Sequence, residues 1–455
     1  MGTTGHCIVA GGGPVGSLLA ILLARKNFTV DLFEARPDSR KTNIYEGKSI
    51  NIALSDRGWH ALEAIGIAPE IRDDAIAMYG RTIHGTNGGV SYQPYGSSGD
   101  AIWSVCRGGI NEKLLTVAET EQNVRVHFEH KLVHLDFDSA QATFRTTGGD
   151  DIEAGADVLF GADGAYSKVR RLAQGRPRFS YSQTFMPQCY IELTIPAGPD
   201  GEHQLECNAL HIWPRKKFML IALPNPDGTF TCTLFLNHSG DPSFESLTER
   251  RAVEDFFDQN FSDALPYLDD PVDQFLDKSA APLFLVQVYP WSFHDRIGLI
   301  GDAAHAIVPF FGQGMNCGFE DCAALNRLVD SCERDWSRIF PAYEQERKPN
   351  ADAIAELSKR NFVEMSDLSG DEKFRIRKMI EARFHEMHPE IWTPLYSMVT
   401  FSPQIPYADA LAIGDEQEEI MSKIMQLPNI ETDWQRPHVY EEMYRLSVDR
   451  LGSDS

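Results

Sequence analysis

Hydrophobic positions fall into two textures along this chain. Near the N-terminus a short apolar run, HCIVA at 6–10, breaks at three consecutive glycines; residues 17–26 then carry apolar positions at helical spacing, and a second run at 29–34 ends in an acid. That order predicts a strand, a helix and a parallel strand. Further on, 51–65 reads as helix, 82–92 as turn-rich strand, 101–106 as strand, 110–121 as helix, and 124–135 with 142–146 as a meander. The short apolar runs 158–161 and 297–300 each lead into a turn holding Gly and Asp, 315–331 reads as helix, and the chain from 343 onward is mostly helical with a proline-rich interruption at 394–406.

From about residue 176 the texture changes. Segments 188–195, 209–213, 218–223 and 229–236 are separated by Pro, Gly and Asp turns. Met219, Ile221 and Leu223 recur with period two, as do Thr231, Thr233 and Phe235, so each set lies on one face of a strand. The pattern predicts an α/β protein: a Rossmann-like dinucleotide-binding domain split in sequence (1–75, 105–175 and 286–340), an inserted antiparallel sheet (76–104 and 176–285) and a helical C-terminal region (341–455).

Composition narrows the function classes. The chain has 455 residues, 42 basic and 66 acidic, for a formal net charge of −24. Such a surface argues against nucleic acid and anionic lipid as partners. The eight cysteines are scattered without a C-x-x-C pair, which argues against a zinc site or disulfide framework and for reduced thiols in the cytoplasm. No targeting segment or membrane-length apolar run is read, and no metal site is expected. The oligomeric state, monomer or dimer, stays open.

Three separated motifs carry chemistry. Gly11, Gly13 and Gly16, with Val15 between, fit G-x-G-x-x-G after a strand and at the mouth of a helix. The glycines allow a tight turn, close approach of a pyrophosphate, and helix–strand packing; the helix N-terminus favours negative charge. Glu34, 18 residues beyond Gly16, ends the second strand, where a carboxylate accepts from ribose hydroxyls and repels a 2′-phosphate, so the resident dinucleotide is expected to be FAD or NAD. Asp163 follows the second buried strand within Gly161-Ala162-Asp163-Gly164, a sequence that also suits a plain turn. Asp302 follows the third, and the loop from Pro309 through Phe310, Phe311 and Gly312 to Gln313, Gly314, Met315 and Asn316 can converge backbone N–H groups on a bound ring.

In this order and spacing the motifs resemble the FAD signature of the single-component flavin aromatic hydroxylases. Segments KSINIALS (48–55), GRTIH (80–84), QPYG (93–96), NALHIWP (208–214), IVPFFGQGMN (307–316), NFVEM (361–365) and YSMVTFS (396–402) resemble the kynurenine 3-monooxygenase branch, over roughly residues 5–410. The resemblance implies tightly but non-covalently bound FAD on Gly11, Gly13, Val15, Gly16, Glu34, Ala53, Arg107, Asp163, Asp302, Gln313, Gly314, Met315 and Asn316. It implies transient NADPH, docking near Asp163, and O2 as co-substrates. It implies hydroxylation of L-kynurenine through a flavin C4a-hydroperoxide, with Arg81, Tyr95, Asn361 and Tyr396 on the amino-acid head and Leu210, Ile221, Phe235 and Met365 as apolar wall. No side chain is implied as acid or base; Pro309, Phe310 and Phe311 position the ring, Phe311 standing where some bacterial relatives have His, and His305 is expected to be structural or near the flavin rather than a catalytic base. Arg81 and Arg107 are expected to be cations at work in the interior. The membrane-bound members carry a C-terminal transmembrane segment that the polar tail from about 411 does not resemble. A hydroxylase of a substituted kynurenine or other aryl substrate, or a non-catalytic FAD-binding protein, remain alternatives; a flavin halogenase is disfavoured because no W-x-W-x-I-P occurs.

Overall fold

A computed structural model describes residues 5–42, 51–86, 88–96, 99–367 and 371–451. The chain divides into two compact units: residues 1–76, 103–186 and 283–355 form the first, and 77–102, 187–282 and 356–455 the second. Residues 48–50 of the 48–55 segment lie outside the described residues.

The first unit is built on a sheet whose strand order is Ser292–Phe293, Ile297–Leu299, Val158–Gly161, His6–Ala10, Thr29–Phe33 and Val124–His127. All its pairings are parallel except the first. Parallel strands are covered on both faces, which explains why 6–10 and 158–161 read as continuous apolar runs rather than alternating ones. The helix Pro14–Arg25 opens with Gly13 at the N-cap and Pro14 in its first turn, where the missing N–H costs nothing, and its residues Gly16 through Ala24 are buried. Phe33 stacks on Phe144 of the neighbouring small sheet, with ring centroids 3.8 Å apart. Residues 51–65 are not one helix, as their periodicity predicts: Asn51–Leu54 is a strand paired antiparallel with 103–106, and the helix runs Asp56–Ala64. Four residues are too few for period two to declare itself, and the Ser55-Asp56 step that starts the helix lies inside the predicted span.

In the second unit, strand Ser180–Ile195 contributes its part from Pro187 onward, followed in sheet order by Phe230–Asn237, Phe218–Pro224, Ala209–Arg215, Gly80–His84 and Val90–Pro94. The predicted sheet is antiparallel throughout; the structure departs from this at one seam, where Gly80–His84 runs parallel to Ala209–Arg215 with Arg81 opposite Leu210. Two strands about 130 residues apart leave no hairpin signature, so their direction is invisible locally. One face of the sheet carries Ile191, Leu193, Trp213, Leu220, Cys232 and Leu234 against the helix Arg250–Phe261. The helices Glu372–Met387, Leu395–Phe401, Tyr407–Ile424 and Pro437–Leu451 also belong here. Leu395–Phe401 falls inside the span read as a proline-rich break, with Pro394 at its N-cap rather than interrupting it. No described helix is long and apolar enough to cross a membrane.

Two histidines on the helix-covered face form a proton-sensitive pair. His211 Nε2 lies 2.8 Å from the Glu206 carbonyl, which can only accept, so its Nδ1 is left to accept from His84 Nε2 at 3.0 Å. Burial, then the neighbouring His211 and Arg215, pull the His84 pKa down to about 4. A pKa below the unfolded value means that stability is fully present above about pH 6.5 and is lost as pH falls toward 4. Thermal melts should therefore show a lower Tm at pH 5 than at pH 7, and His84→Gln should shrink that difference.

Candidate functional site

Each unit holds one set of the candidate residues. In the first, the glycine turn has a steric logic. A Cβ on Gly16 would run into the Gly11 carbonyl, whereas one on Gly13 would meet nothing within 4 Å. Gly16 is thus spent on helix–strand contact, while Gly13 faces open space at the helix N-terminus, where an anion can approach. Glu34 Oε2 accepts from Gly12 N at 2.8 Å and Oε1 from Arg36 N at 2.9 Å, so this carboxylate braces the turn. Beside it lies a cleft lined by Gly12, Glu34, Arg36, Ser39, Asn111 and Phe128. Ser39 Oγ and Asn111 Oδ1 are buried there without a hydrogen-bond partner, an arrangement that costs stability unless a ligand completes it. Arg107, expected inside, is exposed on the first residue of the helix Arg107–Thr120 and ion-pairs with no acid among the described residues. A guanidinium loses less by staying hydrated than by burial without a partner.

The two aspartates of the later motifs behave differently. Asp163 accepts from Ser167 Oγ at 2.5 Å, Lys168 N at 2.6 Å and Val169 N at 3.1 Å, capping the short helix Lys168–Ala173. Burial nevertheless raises its pKa. Asp302 opens the helix Asp302–His305 and its carboxylate accepts no hydrogen bond from the described residues, so it is available to a ligand hydroxyl. Gly301 before it has φ +59° and ψ −142°, a conformation that only glycine adopts readily. Val15 packs against Gly301 and Gly318.

Asn316 ties the last loop down. It is fully buried; its Oδ1 accepts from Ser55 N at 3.0 Å and its Nδ2 donates to Ala53 O at 2.9 Å and Gly312 O at 2.7 Å. Gln313 is buried beside it, Oε1 accepting from Ser55 Oγ at 3.3 Å, and Gly314 and Met315 begin the helix Gly314–Ser331. Phe310 and Phe311 are buried and Pro309 is exposed. His305 is structural: its Nε2 lies 2.6 Å from Asp321 Oδ2, which also accepts from Gly301 N at 3.2 Å. Arg347 Nε donates to Asp321 Oδ1 at 2.8 Å, and burial, which would raise the Asp321 pKa, is outweighed by His305 and Arg347, so the carboxyl stays below its usual range. His305, Cys317 and Asp321 could present ligand atoms within 4.8 Å of one another, but the Arg347 guanidinium already contacts both Asp321 and Cys317 and occupies the position a cation would take.

The second unit brings the head-group residues together. Arg81, 7% exposed, lies over Tyr396 at 4.7 Å and Tyr95 at 5.4 Å, and those two rings stack 5.0 Å apart, 10° from parallel. Arg81 Nη1 donates to Glu364 Oε1 at 3.2 Å, while Arg81 Nε and the Tyr95 hydroxyl are buried without a well-formed hydrogen bond. Burial works against the Arg81 charge, but Tyr396, Tyr95 and Glu364 hold its pKa above the usual value. Glu364 was not singled out from the sequence, although Asn361, Glu364 and Met365 stand at i, i+3 and i+4 on one helix and share a face. Burial raises its pKa less than Lys378 and Arg81 lower it, leaving it charged. Asn361 and Met365 are buried, Nδ2 to Sδ at 3.5 Å. The register puts Arg81 beside Leu210, Ile212 opposite Ile221 and Met219 opposite Phe235, so Arg81, Leu210, Ile221 and Phe235 share the sheet face turned away from the helix Arg250–Phe261.

Comparison with known proteins adds what geometry does not. Residues 4–358 match the family model described as FAD binding domain. The kynurenine 3-monooxygenase of Flavobacterium johnsoniae is 46% identical over 98% of this chain and 99% of its own length, and that of Sus scrofa 42% identical over 91% and 87%. The chain belongs to the kynurenine 3-monooxygenase family. A solved structure of 2-methyl-3-hydroxypyridine-5-carboxylic acid oxygenase aligns with TM-score 0.65 at 20% identity, covering 80% of this chain and 94% of that one, and shares the fold.

As a family member the chain is an FAD enzyme, and the first unit fits that cofactor: an open Gly13, an uncommitted Asp302, an unpaired Arg107 and two orphaned polar atoms beside Glu34. Asp321 is the support on which the Gly301-Asp302 turn rests. Asp321→Asn leaves the buried Arg347 short of counter-charge, a loss typically worth about 3–5 kcal/mol. It is expected to lower the Tm and to weaken FAD binding at least tenfold when apoprotein is titrated with FAD; an unchanged Kd would separate this hub from the cofactor.

Proposed function

We propose that this chain hydroxylates L-kynurenine to 3-hydroxykynurenine with FAD, NADPH and O2. The observation that carries the assignment is the buried Arg81, held between two tyrosine rings with Glu364 at 3.2 Å and an apolar sheet face alongside. An α-amino acid needs a cation for its carboxylate, an anion for its ammonium and apolar wall for its aryl group. Arg81 Nε and the Tyr95 hydroxyl are unsatisfied donors suited to a carboxylate, and the planar guanidinium binds such a group bidentately. Glu364, kept charged, faces the ammonium. Asn361 and Tyr396 complete the head-group site, and Leu210, Ile221, Phe235 and Met365 line the ring.

FAD, when bound, supplies the hydride acceptor and oxygen-activating centre. The chain's own residues supply binding and position. Gly13 and the helix Pro14–Arg25 would hold the pyrophosphate end, Glu34 the ribose near it, and Asp302 the polyol. Asn316 fixes the 312–316 backbone, and the N–H groups at the start of Gly314–Ser331 would favour negative charge on a ring bound beside them. The aryl ring brings its own activation, since the amine ortho to the ketone makes the neighbouring carbon electron-rich. The loop Pro309–Phe311 offers no proton donor, so its part is to hold and to exclude water. All eight cysteines are free, which supports the reducing cytoplasm as the location.

Purified protein should be yellow, should oxidise NADPH faster when L-kynurenine is added in air, and should yield a product one oxygen heavier by mass spectrometry. NADPH use without such a product would point to a different aryl substrate. Arg81→Ala should raise the KM for L-kynurenine at least tenfold and leave FAD content intact, and Arg81→Lys should recover only part of the loss because an ammonium cannot make the two-pronged contact.

A further inference from the structure

Glu364 has more than one charge to answer. Its Oε1 accepts from Arg81 Nη1 at 3.2 Å, and its Oε2 lies 3.4 Å from Lys378 Nζ. Arg81 comes from the strand Gly80–His84 and Lys378 from the helix Glu372–Met387, so two elements of the second unit converge on one carboxylate. An ionised carboxylate offers about four acceptor sites, which leaves room on each oxygen for a further donor. Burial pushes the Glu364 pKa up, and Lys378 first, then Arg81, pull it down. Lys378 is held in place in turn: its Nζ lies 3.4 Å from Glu381 Oε2 and 5.1 Å over the Phe374 ring on its own helix. At 37% exposure the Lys378 side chain adds little packing, so its charge is what the site takes from it.

The demand on Lys378 changes when the site fills. In the empty site Arg81 and Lys378 both answer Glu364. A substrate carboxylate on Arg81 divides the single charge of the guanidinium between two anions, and Glu364 then depends on Lys378 to stay ionised in part-buried surroundings. Among the described residues the charges facing Glu364 are those of Arg81 and Lys378, with Tyr95 and Tyr396 across Arg81 and with Glu381 and Arg377 behind Lys378. Glu381 also holds Arg377 at 2.8 Å, so removing the Lys378 charge leaves Glu381 with a cation and bears mainly on Glu364.

We propose that Lys378 is a positioning residue that acts through Glu364: its ammonium secures the Glu364 carboxylate as an anion while Arg81 engages the substrate carboxylate, and so makes the site select for the α-ammonium as well. The inference rests on the function proposed above. Without the Lys378 charge, burial prevails on Glu364, its carboxyl takes up a proton near neutral pH, and an incoming ammonium loses its anion. A ligand with no ammonium loses nothing by the same change. Because a raised Glu364 pKa means that the carboxyl ionises only at higher pH, the defect is deepest in mild acid and fades as pH rises. The wild-type carboxyl, already ionised, shows no such recovery.

The test uses full-length, FAD-loaded protein without NADPH, so that nothing turns over. Two ligands are titrated by calorimetry: L-kynurenine, and its deaminated counterpart, which keeps the carboxylate, ketone and aryl ring. Lys378→Met, which keeps an unbranched stem, should raise the Kd for L-kynurenine about tenfold, the usual loss of one charge-assisted hydrogen bond. It should change the Kd for the deaminated ligand less than about threefold, and Lys378→Gln should behave alike. In both variants the affinity for L-kynurenine should recover between pH 6 and pH 8. Lys378→Arg, which keeps the charge, should restore most of the binding. An unchanged Kd for L-kynurenine in Lys378→Met, or equal weakening of both ligands with no recovery at higher pH, as a purely structural role predicts, would overturn the proposal. A wild-type protein that does not bind L-kynurenine at all would overturn the proposed reaction, and this inference with it.

Discussion

A guanidinium taken out of water has to be answered by something, and in the second unit that demand falls on Arg81. One carboxylate, Glu364, reaches it at 3.2 Å, and two ring faces cover it. Glu364 is answered in turn by Lys378 at 3.4 Å, Lys378 by Glu381 at 3.4 Å, Glu381 by Arg377 at 2.8 Å, and Arg377 by Glu418 at 2.6 Å. Signs alternate along the whole series, so each charge has an opposite neighbour and the buried end is connected to partly exposed groups. Such pairs add little net stability, because desolvation consumes most of the Coulombic gain. They leave the Nε of Arg81 and the Tyr95 hydroxyl buried without a well-formed hydrogen bond, the feature on which the proposed reading of a carboxylate rests.

The first unit meets the same constraint around Asp321, which carries Arg347, His305 and the Gly301 amide at once. Here the charge holds backbone in place rather than recognising a ligand. It fixes the turn before Asp302, and Asn316 does the equivalent for the 312–316 loop by satisfying two carbonyls and an amide that are otherwise buried. Together they pre-form the loops proposed to carry FAD, so that its binding there would not have to bear their ordering.

Much of the first unit was legible because its signals are local. Short apolar runs bounded by glycine announce buried parallel strands, and the three motifs each sit within a few residues of one. The helices of the C-terminal part are equally readable, save that Pro394 reads as a break yet stands at a helix start. The strand Asn51–Leu54 escaped because four residues cannot show a period, and the parallel seam between Gly80–His84 and Ala209–Arg215 because direction across such a separation is decided by packing. Arg107, expected within, is at the surface for want of a protein partner. Glu364 escaped for a different reason: its contact with Arg81 is 283 residues distant in sequence, and only its shared helix face with Asn361 and Met365 hinted at it.

Everything proposed for the second unit comes down to whether Arg81 reads a carboxylate. The direct measurement is the KM for L-kynurenine against that for its decarboxylated amine, which keeps the ammonium, ketone and aryl ring, with NADPH oxidation and hydroxylated product both followed. A KM at least a hundredfold higher for the amine is expected, with that penalty largely gone in Arg81→Ala. Equal KM values for the two compounds in the unaltered enzyme would contradict it.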